Sequence, residues 1–188
     1  MPASDILQRP LVESGRPKLA DWMFIVFLVC MLIVIGVLGR MTFREGLRTE
    51  ASKSQAEALL QWLGQASTQR FAEGYVLPAC SGHASVGSST TSWGECAKAL
   101  VRASGPLESV RNSFTDQPIG LITRCEAGDL STAGQIVIEK ITPTPPGSAV
   151  ALTIGPIEVD EPLGRKLTFR LTVCDKGGYP IRVGETTF

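Results

Sequence analysis

The sequence predicts an α+β chain hung on one transmembrane helix. Three observations lead there: an unbroken apolar run at residues 22–39, apolar residues at helical spacing directly after it, and a strand-like C-terminal third. The expected order is a transmembrane helix continuing into an amphipathic helix, then a small domain with a short helix and a four- to five-stranded antiparallel sheet.

The run at 22–39 carries no charge, Pro, Asn or Gln. At about 1.5 Å per residue its roughly 18 residues measure about 27 Å, close to the hydrocarbon thickness of a bilayer. A helix satisfies its own backbone there. A cleaved signal peptide fits less well, since its apolar core is usually about 7–15 residues and ends at a small-x-small site. Here the run meets Gly39, Arg40 and a helix-forming sequence.

The flanks do not settle orientation by charge. Arg9, Arg16 and Lys18 precede the run, and Arg40, Arg44, Arg48 and Lys53 follow it. A long C-terminal part is translocated largely regardless of such charges. Cys80, Cys96, Cys125 and Cys174 all lie in that part without metal-type spacing, which suits an oxidising compartment. The expectation is therefore a single-pass protein of the inner (cytoplasmic) membrane. Residues 1–21 form a cytoplasmic tail, and the C-terminal domain is periplasmic or extracellular. Cys30, inside the run, reads as a small lipid- or helix-facing residue.

Eighteen basic residues balance eighteen acidic ones. That leaves no electrostatic case for a nucleic-acid partner.

Residues 40–72 read as an amphipathic stalk, with Ala56, Leu59, Leu60, Leu63 and Ala66 on one face and Glu57, Gln61, Gln65 and Gln69 opposite. Gly46 and Gly64 each weaken a helix by about 1 kcal/mol relative to Ala, so the pattern admits both a continuous rod and a bend at Gly46. Gly74 and Pro78 mark the expected stop.

Residues 73–188 form the expected domain. Cys80 and Cys96 enclose a turn-rich loop, and Ser92 with Glu95 fits a capping box opening a helix over 93–103. Pro106 is suited to start one further helical turn over 106–111. Strands are expected over 119–125, 135–142, 149–154, 166–174 and 181–183, joined most economically as an antiparallel meander. Leu167, Phe169, Leu171 and Val173 should cover a helix, with Thr168, Arg170, Thr172 and Cys174 on the other face.

Motifs for chemistry are sparse. His83 is the only histidine and has no second ligand at metal spacing, so it reads as a solvated loop residue. The sequence Gly82-His-Ala-Ser-Val-Gly87 places its serine one position too late for a nucleophile elbow. Glu126 with Asp129, and Glu158 with Asp160 and Glu161, do not follow a calcium-loop pattern. No catalytic, cofactor-binding or metal-ligating residue is assigned, and the chain reads as non-enzymatic.

The order of parts resembles the lollipop plan of bacterial type IV pilins and pseudopilins: an apolar helix running into an amphipathic one, a cysteine-bearing loop with a short helix, a sheet, and a late Cys174 paired back across it. Members of that family carry a Gly just before the apolar segment and a Glu at its fifth position. Here Leu19 and Ala20 precede the run, and Ile25 or Phe27 stands where the Glu would be. The resemblance therefore implies an unprocessed, accessory or minor-pilin-like component of a pilus- or secretion-like envelope machine. Its partners would be the lipid bilayer and other membrane or envelope proteins, met through the helix and stalk as a homo- or hetero-oligomer. The alternative is a membrane-tethered periplasmic ligand-binding or sensing module. Of the three pairings four cysteines allow, Cys80–Cys96 and Cys125–Cys174 are chosen, one local and one joining two strands.

Overall fold

A computed structural model describes residues 18–82, 91–102, 105–144 and 151–188. The chain divides into two units, Met1–Phe43 and Arg44–Phe188. One helix, α1 (Leu19–Gln69), contributes to both and passes through Gly46 and Gly64 as a single element.

In the first unit the helix opens with the Lys18 amide donating to Asp21 Oδ2 at 2.9 Å, which satisfies a donor the first turn would otherwise leave free. Every described residue from Lys18 to Phe43 is exposed. Thr42 closes this stretch by donating its hydroxyl back to the carbonyls of Leu38 and Gly39, at 3.2 and 3.1 Å.

In the second unit α1 turns amphipathic, as the spacing predicts. Ala56, Leu59, Leu63 and Ala66 are buried one or two turns apart, joined by Ser52 and Ser67. Residues 52–67 are thus part of the domain core rather than a stalk standing clear of it. Leu60 packs onto the sheet where Gly184 stands, since a Cβ there would meet Leu60 at 2.8 Å. The helix ends at Gln69, ahead of Gly74, because the Arg70 carbonyl is taken by the Gly82 amide at 2.9 Å and by the Ser81 hydroxyl at 3.2 Å.

The second helix, α2, spans Trp93–Val101, two residues shorter than expected. Ser92 occupies its N-cap but makes no side-chain cap bond, so the capping box does not form. The Trp93 and Gly94 amides donate instead to the carbonyls of Glu161 and Val159, at 2.8 and 2.7 Å. A neighbouring loop thus satisfies two of the amides that the first turn leaves free. Residues 106–109 make turns with Leu107 buried and Arg111 bridges to Pro118, in place of the helical turn expected over 106–111.

The sheet has five strands: β1 (Leu121–Ile122), β2 (Ile136–Pro143), β3 (Leu152–Pro156), β4 (Thr168–Cys174) and β5 (Pro180–Thr187). Its order is β1-β2-β4-β5, with β3 sharing the β1 edge of β2. The simple meander is therefore corrected at two places. First, β1 runs parallel to β2, because residues 123–134 cross the end of the sheet toward Cys174 before β2 begins. Second, β3 does not pair with β4. The chain between them travels to α2, supplies the carbonyls just described, buries Ile157 and Leu163, and returns on the opposite edge of β2. β5 is an edge strand with Pro180 as its first residue, where a missing N–H costs nothing.

The core lies between α1, α2 and the face of β4 that carries Phe169, Leu171 and Val173. Rings fill its centre: Trp93 and Phe169 lie 4.9 Å apart between centroids, Phe169 and Phe188 5.7 Å, and Trp62 and Phe188 6.4 Å. Replacing Leu63, which is fully buried, by Ala should destabilise the domain by about 2–5 kcal/mol. Leu28→Ala, in the exposed apolar segment, should leave the domain's denaturant midpoint unchanged. Tryptophan fluorescence during denaturation of the two variants in nanodiscs checks the contrast.

Candidate functional site

The feature with the plainest physical consequence is the N-terminal part of α1. It is long and apolar enough to cross a membrane, and none of its apolar stretch is buried in the protein. Exposed large apolar residues follow one another from Trp22 to Leu38. A contiguous apolar surface of this kind in water would drive association, whereas lipid satisfies it directly. Trp22 lies beside Lys18 and Asp21 at one end, and Arg40 and Arg44 stand beyond Gly39 at the other. Aromatic and charged groups are placed this way at lipid–water boundaries.

The domain is held by groups that sequence reasoning passed over. Arg70 is fully buried. Its Nη1 and Nη2 donate to the carbonyls of Leu163 and Arg165, both at 2.7 Å, and its guanidinium lies 4.4 Å from the Phe71 ring centroid and 4.5 Å from that of Phe188. Its Nε has no partner among the described residues. Burial lowers the Arg70 pKa, and the group stays a cation at physiological pH. One side chain thereby ties the end of α1 to the approach to β4. Nothing in the sequence distinguishes Arg70 from a solvated helix-end arginine.

Glu161 is the second such group. The sequence grouped it with Glu158 and Asp160 and gave it no role, yet it is only 6% exposed. Its Oε1 accepts from Lys140 Nζ at 2.8 Å and from Arg165 Nη2 at 2.9 Å. Its own carbonyl accepts the first amide of α2. The Lys140 hydrogen bond holds its carboxyl below the ordinary glutamate range, with burial opposing and the Arg165 bond reinforcing the shift.

Glu126 and Asp129 are accounted for locally. Glu126 pairs with Arg124 at 2.9 Å. Asp129 accepts from the Ser131 amide at 2.8 Å and the Ser131 hydroxyl at 2.9 Å, which lowers its pKa. His83 lies outside the described residues, as does most of the loop between Cys80 and Cys96. Those two cysteines are bonded to each other, and Cys125 is bonded to Cys174. The first bridge ties the start of that loop to α2. The second ties residues 123–134 to the end of β4. Cys30 is free and exposed on the apolar segment.

The chain matches no protein-family model, no curated protein and no solved structure. Its class therefore rests on its own architecture: a mostly antiparallel α+β domain together with one helix able to cross a bilayer, which supports membrane anchoring.

A carboxylate with a depressed folded pKa contributes stability that is complete above its unfolded pKa, about 4.3 for Glu. That stability is lost as pH falls through the folded value. Glu161→Gln should therefore cost about 1–3 kcal/mol at pH 7, and it should remove part of the acid dependence seen in the parent protein between about pH 5 and pH 2. Denaturant midpoints of both proteins across that range are the check.

Proposed function

We propose that the chain is a non-enzymatic, membrane-anchored structural or assembly component of a bacterial envelope machine, accessory or minor-pilin-like in plan. Its N-terminus is cytoplasmic, its anchor crosses the inner membrane, and its domain is periplasmic or extracellular. The observation that carries this reading is α1, whose first part is apolar on every side and whose second part builds a domain core.

The Ala56–Leu63 side of α1 is committed to its own domain, so it is not free to receive another subunit. Lateral contacts therefore fall to the apolar segment, where helix–helix packing in lipid is driven by close side-chain contact. The two disulfides support an extracytoplasmic location, since such bonds persist in oxidising compartments. The tethered binding or sensing module shares the same anchor, and a groove beside Trp62 favours it as a second reading.

Two measurements check the proposal. Alkaline phosphatase fused after Phe188 should be active in cells and green fluorescent protein at the same point dark, the reverse pattern placing the domain in the cytoplasm. A photo-crosslinking residue at Leu28 or Ile35 should give adducts in intact cells with a second copy or another membrane protein. Adducts with lipid alone, together with a monomer in mild detergent, would contradict an assembly role.

A further inference from the structure

A groove of about 350 Å³ runs along the domain between the end of α1 and the segments that follow it. On α1 its lining is a single stripe, Trp62, Gln65, Ala66 and Gln69, spaced at three and four residues. Tyr75 and Pro106 face it from the other segments. Its volume lies within the range of ligand sites.

The lining chemistry is selective. Among the described residues that line it, none carries an acidic or basic side chain. Tyr75 is the one titratable group, and burial raises its pKa, which keeps the phenol neutral. Trp62 is half-buried, and its ring is backed by Phe188 in a near-parallel stack, 28° between planes, so the aromatic surface is held in place before any ligand arrives. Ala66, small and buried, leaves room beside it. The side-chain amides of Gln65 and Gln69, the Trp62 indole N–H and the Tyr75 hydroxyl make no hydrogen bond within the described residues.

We propose that this groove binds a neutral pyranose unit of a glycan chain. A pyranose ring presents C–H groups on its faces, which meet the negative face of an indole favourably. Its rim carries hydroxyls, each both donor and acceptor. The glutamine amides supply donors and acceptors together, matching hydroxyls one for one. An extended proline-rich peptide, the other occupant of aromatic grooves, offers carbonyl acceptors and would leave the glutamine oxygens unused. With no charged side chain among the described lining residues, neutral sugars are favoured over anionic ones. This inference deepens the tethered-module reading by naming its ligand class and stands apart from the assembly role, which crosslinking tests separately.

The test is a titration of the full chain in nanodiscs with cellotetraose, with chitotetraose and with a proline hexamer, following the indole resonances of Trp22, Trp62 and Trp93 by NMR. The expected result is a saturable shift of the Trp62 resonance with at least one oligosaccharide, and none with the proline peptide. Gln65→Ala combined with Gln69→Ala changes exposed side chains only and should weaken that binding about tenfold, as should Trp62→Ala. Should Trp62→Ala fail to fold, the double glutamine variant decides alone. No shift with either sugar, unchanged affinity in the glutamine variant, or a shift with the proline peptide alone would overturn the proposal.

Discussion

The side of α1 that carries Ala56, Leu59, Leu63 and Ala66 is where the layers of the domain meet. Two leucines lie between two alanines along it, and Gly184 on β5 and Gly64 on α1 give room where Leu60 and Thr186 meet them. β4 lays Phe169, Leu171 and Val173 into the same core, and α2 adds Trp93, Cys96 and Leu100. The sheet presents one apolar face to the core, and the helix covers it. Both bridges are secondary to this contact. Cys80 and Cys96 are themselves fully buried in that core and tie the Cys80 loop to α2, while Cys125–Cys174 ties the 123–134 crossing to β4.

Two buried charges then fix the connections that the apolar layers leave free. Arg70 binds main-chain carbonyls at Leu163 and Arg165, and Glu161 binds the side chains of Lys140 and Arg165. Both act on the segment between β3 and β4, the one that crosses from one edge of β2 to the other. Apolar packing is tolerant of sliding, whereas hydrogen-bonded charges demand a particular partner at a particular place. The crossing segment is thus set by charges, and it in turn caps α2 through the carbonyls of Val159 and Glu161.

Periodicity made both parts of α1 legible, the unbroken run at 22–39 and the recurrence of Ala56, Leu59, Leu63 and Ala66, but left open whether the helix is continuous through Gly46, as it is. Strand β4 was equally plain, since Leu167, Phe169, Leu171 and Val173 alternate without interruption. What the sequence did not disclose was pairing. The parallel seat of β1 depends on where residues 123–134 travel, and the separation of β3 from β4 depends on carbonyls at 159 and 161 finding α2. Neither is a local property. Ser92 and Glu95 looked like a capping box because the pattern is local, yet Ser92 makes no side-chain cap bond and a distant loop serves the neighbouring amides of Trp93 and Gly94. Arg70 and Glu161 were hidden for the same reason: whether a charge is solvated or buried is decided by segments about a hundred residues or twenty residues away, respectively. The groove beside Trp62 carries no motif, and only the stripe of Trp62, Gln65, Ala66 and Gln69 could have hinted at it.

The dependence of the domain on α1 is tested most directly by hydrogen exchange on the full chain in nanodiscs. If that contact holds the fold, amides of residues 56–66 exchange as slowly as those of β2 and β4 and lose protection together with them when denaturant is added. Rapid exchange over residues 56–66 while β2 and β4 remain protected would show a sheet that stands without its helix, and would contradict the account.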